Sequence, residues 1–289
     1  MLDRLSIKRT IMLMNKLSTE ERRKVVAALV EGNSLRSVTR MTGVHRTTIM
    51  KLLTDLGTKC AEYQREKLVN LPSKRVQCDE IWSFVHAKEK NCTAEMKSEG
   101  YGDCWTWVAL DADSKLVISW LVGGRDAGYA YEFMHDVKSR LANRVQMTTD
   151  GHKAYLGAVE DAFGCEVDYA MLQKIYGPTP SEKRPESRYS PGTVTGIKKE
   201  VITGKPEEKH TSTSYVERQN LTMRMAMRRF TRLTNGFSKK LANHEAAISL
   251  HYMHYNFCRV HQSLRVTPAM EAGVSDHVWS IEEIIELLG

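Results

Sequence analysis

RVQCDEIWSFVH, at residues 75–86, is the most informative segment of this sequence for its fold. Its β-branched and aromatic residues predict a strand, and two acidic residues, Asp79 and Glu80, lie back to back in its middle. A buried carboxylate is unfavourable by several kcal/mol unless it is paired or bound to a metal ion. For Asp79 alone, a structural salt bridge is the simpler interpretation. Because successive side chains of a strand point to opposite faces, we expect only one of these two carboxylates to join a site.

The residues that follow alternate between strand-like and helix-like patterns. WTWVALD (105–111) and KLVISWLV (115–122) flank a DADS turn, which predicts a β-hairpin. Further apolar spacing predicts a helix over 129–141, a strand over 144–149, a helix over 153–163 and a strand over 166–172. Three strands followed by helix, strand, helix and strand are typical of a mixed α/β sheet with helices on its faces.

Residues 171–212 interrupt this pattern. They contain five of the seven prolines and four glycines, a composition typical of a long loop. We therefore expect a loop or a small hairpin to be inserted here, before a helix that covers 214–233.

The N-terminal segment has clear helix start and stop signals. Ser18 and Glu21 form a capping box ahead of a first helix, and a second helix is predicted over 34–41. Gly43 then makes a turn into a third helix that begins near His45. This pattern is typical of a helix-turn-helix, in which the second helix of the pair contacts DNA. A three-helix bundle that binds protein, or that binds nothing, is the alternative. The residues predicted to meet DNA are His45, Arg46, Thr47 and Lys51.

Composition excludes several classes of protein. The 289 residues are 42% hydrophobic and 27% charged, which excludes a disordered chain and a collagen-like one. No apolar stretch approaches the ~18 residues of a membrane span, and the N-terminal residues do not resemble a signal peptide, so we expect a cytoplasmic protein without a membrane partner. The net charge of +7 permits DNA binding without requiring it. Six cysteines without a CxxC pair argue against a disulfide framework.

Two more carboxylates lie at positions that suit a site. Asp150 ends a predicted strand and precedes a glycine. Glu217 lies in an amphipathic helix, SYVERQNLTMRMAMRRFTRL, whose apolar stripe is expected to dock on the sheet. A second stripe, about 110° around this helix, starts with Glu217 and continues through polar and basic residues. The apolar stripe is Val216, Met223, Met227 and Phe230, and the polar stripe is Glu217, Asn220, Arg224 and Arg228.

Four segments together resemble bacterial insertion-sequence transposases of the DDE class. They are VQCDEIWSFV, TTDGHKAY, SYVERQNLTMRMAMRRFTRLTNGFSKK and YNFCRVHQSL, and the resemblance extends over about 71–270. It implies a ribonuclease-H-like α/β catalytic domain over 71–270, and the all-α helix-turn-helix domain predicted over 1–70 suits the same family. The remaining segment, 271–289, ends in a stretch, 280–289, whose pattern predicts a short acidic amphipathic helix. Some relatives also carry an N-terminal zinc-binding cysteine segment, which this sequence does not have. The interval from Asp150 to Glu217 is longer than in the most compact relatives.

The resemblance also implies a site and a reaction. Asp79, Asp150 and Glu217 match the family's three catalytic, metal-binding carboxylates, and Glu80 is the alternative for the first of them. These residues would hold two Mg²⁺ ions, or Mn²⁺ in their place, about 3.5–4 Å apart. Water would attack a phosphodiester at each end of the element, and the freed 3′-OH would attack target DNA. Lys153, Asn220, Arg224 and Arg228 are predicted to contact the DNA. For Arg224 and Arg228, a structural ion pair with an acid elsewhere in the fold is the alternative.

The implied partners are double-stranded DNA, as element ends and target, and further copies of the chain, since two ends must be joined. Two other functions stay open: a non-catalytic DNA-binding regulator and a ribonuclease-H-type nuclease. A separate pattern, His251, His254, Cys258 and His261, has the spacing of zinc ligands on one helix face. Packing of the last helix of the domain is the simpler interpretation of that pattern.

Overall fold

The computed structural model describes residues 16–177, 193–231 and 235–289. Their centre is a mixed sheet with the strand order β3-β2-β1-β4-β5-β6. Strands β1, β4 and β5 run parallel, whereas β2, β3 and β6 are antiparallel to their neighbours. The strands are β1 (Arg75–Val85), β2 (Gly102–Asp111), β3 (Val117–Gly123), β4 (Val145–Thr149), β5 (Val167–Tyr176) and β6 (Val194–Thr203).

Helices cover both faces of this sheet. On one face, the Trp107 ring lies 5.9 Å from Phe133 and 5.3 Å from Tyr155, measured between ring centroids. On the other face, Trp120 lies 5.0 Å from Tyr252. The predicted mixed α/β sheet is therefore confirmed, and its strand order is consistent with a ribonuclease-H-like fold. The helices are α1 (Thr19–Val30), α2 (Leu35–Thr42), α3 (Arg46–Lys67), α4 (Ala94–Ser98), α5 (Ala127–Arg140), α6 (Ala154–Phe163), α7 (Ser214–Ala226), α8 (Leu241–Met253), α9 (Pro268–Glu271) and α10 (Ile281–Glu286).

The predicted insertion over 171–212 is in part a hairpin. Strand β5 continues to Tyr176, and β6 returns antiparallel to it, while residues 178–192 lie outside the described part of the chain. Nearly all of β6 is exposed, so its sequence does not alternate between apolar and polar residues as a half-buried strand does. This is why the strand could not be found among the prolines and glycines around it.

The predicted helix over 214–233 is too long. Helix α7 ends at Ala226, Met227 is extended, and Arg228–Phe230 form a 3₁₀ turn. The turn places the ring of Phe230 5.2 Å from His244 in α8. Met227 and Phe230 are buried as expected, but Arg228 does not continue the helix edge that carries Glu217.

The N-terminal helices form as predicted. The backbone N–H of Glu21 donates to the Ser18 hydroxyl at 3.2 Å, and Ser18 N–H donates to the Glu21 carboxylate at 2.8 Å, which completes the capping box. Gly43 ends α2 with φ 74°, and His45 caps α3. The predicted C-terminal acidic helix is present as α10 and lies against α1. No helix among the described residues combines the length and the apolar character needed to cross a bilayer.

Helix α3 packs directly on α8. A Cβ atom added to Gly57 would overlap the backbone of Ala246, 2.6 Å from its Cα atom. The side-chain amide of Gln64, which is fully buried, donates to the backbone oxygen of Ser249 at 3.2 Å. Glycine thus allows the N-terminal helices to make backbone-to-backbone contact with the body of the protein.

We expect Gly57→Ala to lower the free energy of unfolding by about 1–3 kcal/mol, because the added methyl group must push α3 away from α8. Chemical denaturation of the purified variant measures this. Gly157→Ala is the matched control: it is also in a helix, but the nearest atom is the hydroxyl of the exposed Tyr131 side chain, at 2.8 Å. That side chain can move, so a gain of up to about 1 kcal/mol is expected from helix propensity. Equal effects of the two variants would contradict the close packing.

Candidate metal centre

Three carboxylates converge at one edge of the sheet. Asp79, Glu80 and Asp150 each offer one oxygen, and these oxygens lie within 4.8 Å of one another. The parallel register of β1 and β4 pairs Cys78 with Thr149, so Asp150 follows β4 at the level of Asp79. We name these three residues the carboxylate cluster.

Both Asp79 and Glu80 lie close to Asp150, and the expectation that only one of them joins a site stays a prediction. Their side chains do point to opposite faces: Asp79 accepts from the Asn220 amide at 2.9 Å, on the α7 side. Glu80 lies opposite Trp107 in the antiparallel register of β1 and β2, on the α5–α6 side of the sheet. Its side chain is 1% exposed. However, β4 ends at Thr149, so no β4 residue covers β1 beyond Cys78. Asp150 lies at this open edge, where carboxylates from both faces can approach it.

Burial and mutual repulsion disfavour the charged forms of these groups. Burial, followed by the nearby Asp150 carboxylate, raises the pKa of Asp79 to about 7. Burial, and then Asp150 and Asp79, raise the pKa of Glu80 to about 8. The pKa of Asp150 is also raised, mainly by burial, against the opposing effect of the His152 backbone N–H. A cation at the cluster would relieve both effects.

Arg125 is a cationic side chain at the cluster that the sequence analysis did not identify. Its guanidinium nitrogen Nη2 lies 3.4 Å from Glu80 Oε2 and 3.7 Å from Asp150 Oδ2. The guanidinium also stacks on the ring of Trp105, 4.6 Å from the ring centroid. Arg125 lies in the turn between β3 and α5, and nothing in the local sequence distinguishes it from a surface arginine. It contacts two of the three carboxylates.

Glu217 borders the same cavity but stands apart from the cluster. Its carboxylate is ion-paired with Lys174 of β5 and accepts from the Thr213 hydroxyl at 2.7 Å. The cavity has a volume of about 690 Å³, and Asp79, Asp150 and Glu217 all line it. Lys174 and Thr213 were also missed by the sequence analysis, since their contacts with Glu217 depend on the tertiary fold.

Strand β1 holds helix α7 in place. The side-chain oxygen of Gln77 accepts the backbone N–H groups of Tyr215 at 2.9 Å and Val216 at 3.1 Å. These N–H groups belong to the first turn of α7, where they have no partner within the helix. Gln77 and Asp79 lie on the same face of β1, so one strand positions both the start of α7 and the carboxylate that Asn220 contacts.

The other predicted site residues lie in two places. Lys153 is exposed and lines the cavity of the carboxylate cluster, with His152 beside it. The residues at the start of α3 lie elsewhere: Arg46, Thr47 and Lys51 are exposed, and the His45 ring accepts the Thr47 backbone N–H at 3.3 Å. Arg224 is half-buried in the last turn of α7, and Arg228 is exposed.

The cluster fits a hard divalent cation. Its donors are carboxylate oxygens, which Mg²⁺ and Mn²⁺ prefer, and no histidine or cysteine belongs to it. Within the described part of the chain, His251, His254, Cys258 and His261 do not form a metal-binding group. His251 is buried and His254 begins a π-helical turn, so the regular spacing of these residues on one face is lost.

Comparison with known proteins gives only distant similarity. No family model and no curated protein matches the chain. Among solved structures, a piggyBac transposase synaptic complex with hairpin DNA aligns with 12% identity and a TM-score of 0.39, covering 94% of this chain and 72% of that one. The Mos1 strand transfer complex aligns with 13% identity and a TM-score of 0.23, covering 82% and 77%. Both TM-scores are below 0.5, so neither similarity supports a conclusion.

We expect Mn²⁺ to stabilise the wild-type protein against heat, because it binds the folded cluster and not the unfolded chain. At about 100 times the Kd, this amounts to about 2.7 kcal/mol, or about 5 °C in Tm. Asp79→Asn and Asp150→Asn should each abolish the stabilisation by Mn²⁺. With EDTA present, each variant should have a higher Tm than the wild type, because each substitution removes a carboxylate that repels its neighbours. Differential scanning fluorimetry measures both effects.

The control for this experiment is Asp55→Asn, which changes an exposed carboxylate of α3 and should leave the Mn²⁺ effect intact. A full Mn²⁺ effect in both cluster variants would show that the cation binds elsewhere.

Proposed function

We propose that this protein is a DDE-class DNA transposase of a bacterial insertion sequence, acting through Mg²⁺-dependent cleavage and strand transfer. One observation carries the proposal: the carboxylates of Asp79 and Asp150, from adjacent parallel strands, converge at an open sheet edge, across a cavity from Glu217. The quoted sequence segments that resemble this family include all three residues. A ribonuclease-H-like sheet supports it, since that is the fold the resemblance implies.

Each carboxylate has a defined part in this proposal. Asp79 and Asp150 would hold a divalent cation, and Glu217 would complete the ligand set once its ion pair with Lys174 is released. A divalent cation bound there would supply two things: activation of a water nucleophile and stabilisation of the leaving oxygen of a phosphodiester. Asn220 fixes the orientation of Asp79 through their hydrogen bond. Lys153, exposed at the rim of the cavity, and the Lys174 released from Glu217 bind phosphate oxygens of the DNA.

Glu80 is the competing third carboxylate, and burial favours Glu217 over it. The Glu80 side chain is 1% exposed and lies next to Arg125, whereas the Glu217 side chain is 36% exposed and lines the cavity. A ligand that shares a cation with a DNA phosphate must be reachable from the cavity. We therefore propose that Glu80 is the buried member of the cluster and not a metal ligand, and that Arg125 offsets part of its charge and of the charge of Asp150.

The start of α3 is the proposed site for double-stranded DNA. Arg46, Thr47 and Lys51 are exposed there, at the positive end of a 22-residue helix. We propose that α2 and α3 act as a helix-turn-helix on the terminal DNA, that the protein is cytoplasmic, and that copies of it assemble to join two ends.

We expect Asp79→Asn, Asp150→Asn and Glu217→Gln each to reduce Mg²⁺-dependent cleavage and joining by at least about 100-fold, since each removes a charged ligand. Gel assays on duplexes that carry the inverted repeats flanking the coding sequence measure this. Binding of the same duplexes should survive in every variant. Glu80→Gln is the matched comparison: it should retain most of the activity, and the reverse ranking of Glu80→Gln and Glu217→Gln would make Glu80 the third ligand.

We expect Arg46→Ala and Lys51→Ala, in the full-length protein, to weaken duplex binding and to make its salt dependence shallower. Each removes about one phosphate contact, so the slope of log affinity against log salt should fall by about 1. Fluorescence anisotropy at several salt concentrations gives the slopes. Lys59→Ala is the control, because Lys59 is exposed on the same helix and is ion-paired with Glu62 at 2.7 Å. Unchanged slopes for Arg46→Ala and Lys51→Ala would remove α3 from the DNA interface.

A further inference from the structure

A second cavity lies between the N-terminal helices and the segment that follows α7. Its volume is about 890 Å³, and it shares no lining residue with the cavity of the carboxylate cluster. The turn after α1 contacts the end of α7 on one side of it: a Cβ atom on Gly32, whose φ is 77°, would lie 2.6 Å from the Ala226 backbone oxygen. We name this cavity the interhelical groove.

The groove has a basic rim. Among the described residues that line it there are six cationic side chains and no carboxylate. They come from α2, from the start of α3 and from near the two ends of the segment that joins α7 to α8. A rim of this kind attracts an anion. The six residues are Arg36, Arg46, Arg228, Arg229, Lys239 and Lys240.

The floor of the groove is apolar. Val30, Met50 and Leu53 line it from the N-terminal helices, and Ala247 and Leu250 line it from α8. Within the cavity, these side chains form an apolar surface that is bordered by the basic rim. A simple inorganic anion would not use such a floor, whereas a nucleobase or another flat ring would.

One buried polar atom on the groove has no hydrogen-bond partner among the described residues. His251 lines the groove and is 6% exposed, and its ring nitrogen Nε2 makes no hydrogen bond to residues 16–177, 193–231 or 235–289. Burial lowers the pKa of this imidazole to about 3, so the ring is neutral. A buried polar group without a hydrogen-bond partner destabilises the folded protein. A ligand with a hydrogen-bonding edge would satisfy it.

Arg229 is the second group that points to a ligand. Its guanidinium donates to the Ser238 hydroxyl at 2.5 Å, and no carboxylate among the described residues is paired with it. Ser238 in turn contacts the His244 ring at 3.0 Å, so the arginine is held in place on a buried network. Burial lowers the pKa of Arg229 to about 10, and a phosphate would favour its charged form.

We propose that the interhelical groove binds one unpaired nucleotide of the substrate DNA, with its base on the apolar floor against His251 and its phosphates on the basic rim. This rests on the proposed function. The volume suits a nucleotide and is too small for a duplex. Extruding a base is unfavourable because its stacking and pairing are lost, and contacts with the apolar floor and with the His251 nitrogen offset that loss.

Helix α7 sets the distance between the groove and the candidate active site. Glu217 is in its first turn and Ala226, at the groove, is its last residue. Nine residues along a helix span about 13 Å at 1.5 Å each. This corresponds to about four nucleotide steps of B-DNA at 3.4 Å each. The unpaired nucleotide is therefore expected about four steps from the cleaved phosphodiester.

The experiment compares two labelled duplexes that are identical except for a single unpaired 2-aminopurine nucleotide in one of them. We expect the full-length protein to bind the bulged duplex about tenfold more tightly and to change the fluorescence of its 2-aminopurine. Ala247→Phe fills the floor of the groove and should abolish the preference without weakening binding to the paired duplex. Ala61→Phe, on a partly exposed position of α3 outside the groove, is the matched control and should keep the preference.

Several outcomes would overturn the proposal. The first is that the wild-type protein binds the bulged and the paired duplex equally well. The second is that the Ala247→Phe variant is folded, as judged by its Tm, and still prefers the bulged duplex. If Arg36→Ala and Arg229→Ala weaken binding to both duplexes equally, and the wild-type protein shows no preference for the bulge, the groove contacts only the backbone of paired DNA. Cleavage at the carboxylate cluster is assayed separately with Mg²⁺, so an active enzyme without the bulge preference refutes the groove alone. A bulge preference in a protein without metal-dependent cleavage refutes the proposed activity alone.

Discussion

The repulsion among three carboxylates at the open edge of β1 is the constraint on which the site depends. Asp79, Glu80 and Asp150 approach within 4.8 Å because β4 stops one residue before Asp150. Protein groups balance this arrangement only in part: Arg125 contacts two carboxylates, and Asn220 donates to the third. The rest of the sheet supplies the burial that makes the repulsion strong. A fold optimised for stability alone would not place three acids there, which is the physical reason to regard the cluster as functional.

The same strand organises the elements around the cluster. Gln77 holds the first turn of α7, two residues before Asp79 on the same face. Glu217, in that turn, is then tied to β5 by Lys174. The position of Glu217 therefore depends on β1 and on β5, and the β5–β6 hairpin keeps β5 long enough to reach it. The predicted insertion over 171–212 therefore helps to hold Glu217, a candidate catalytic residue, in position.

Sequence was sufficient where the deciding interactions are local. The β2–β3 hairpin, the Ser18 capping box and the alternation of strands and helices each follow from residues close in the chain, and the structure has all of them. Arg125 and Lys174 could not be identified from the sequence, because they act on carboxylates that are distant in the chain. Asp150 is 25 positions from Arg125, and Glu217 is 43 positions from Lys174. The end of α7 at Ala226 was missed because the apolar stripe continues through Phe230, and only its contact with His244 shows that the helix has ended. Alternation along β1 correctly separates Asp79 from Glu80, but it does not show that both approach Asp150, because that depends on where β4 ends.

The contact of Gly57 with Ala246 also has a mechanical meaning. With no side chain between them, α3 and α8 cannot slide or hinge without opening backbone contacts, so α3 is a rigid arm, about 33 Å long at 1.5 Å per residue. Whatever the exposed start of this arm holds is kept at a fixed distance and a fixed angle from the carboxylate cluster. Each base pair inserted into a duplex advances it by about 3.4 Å and turns it by about a tenth of a revolution. If a duplex is bound at the start of α3, as proposed, the distance in base pairs from that contact to the carboxylate cluster is therefore fixed by the geometry of the protein.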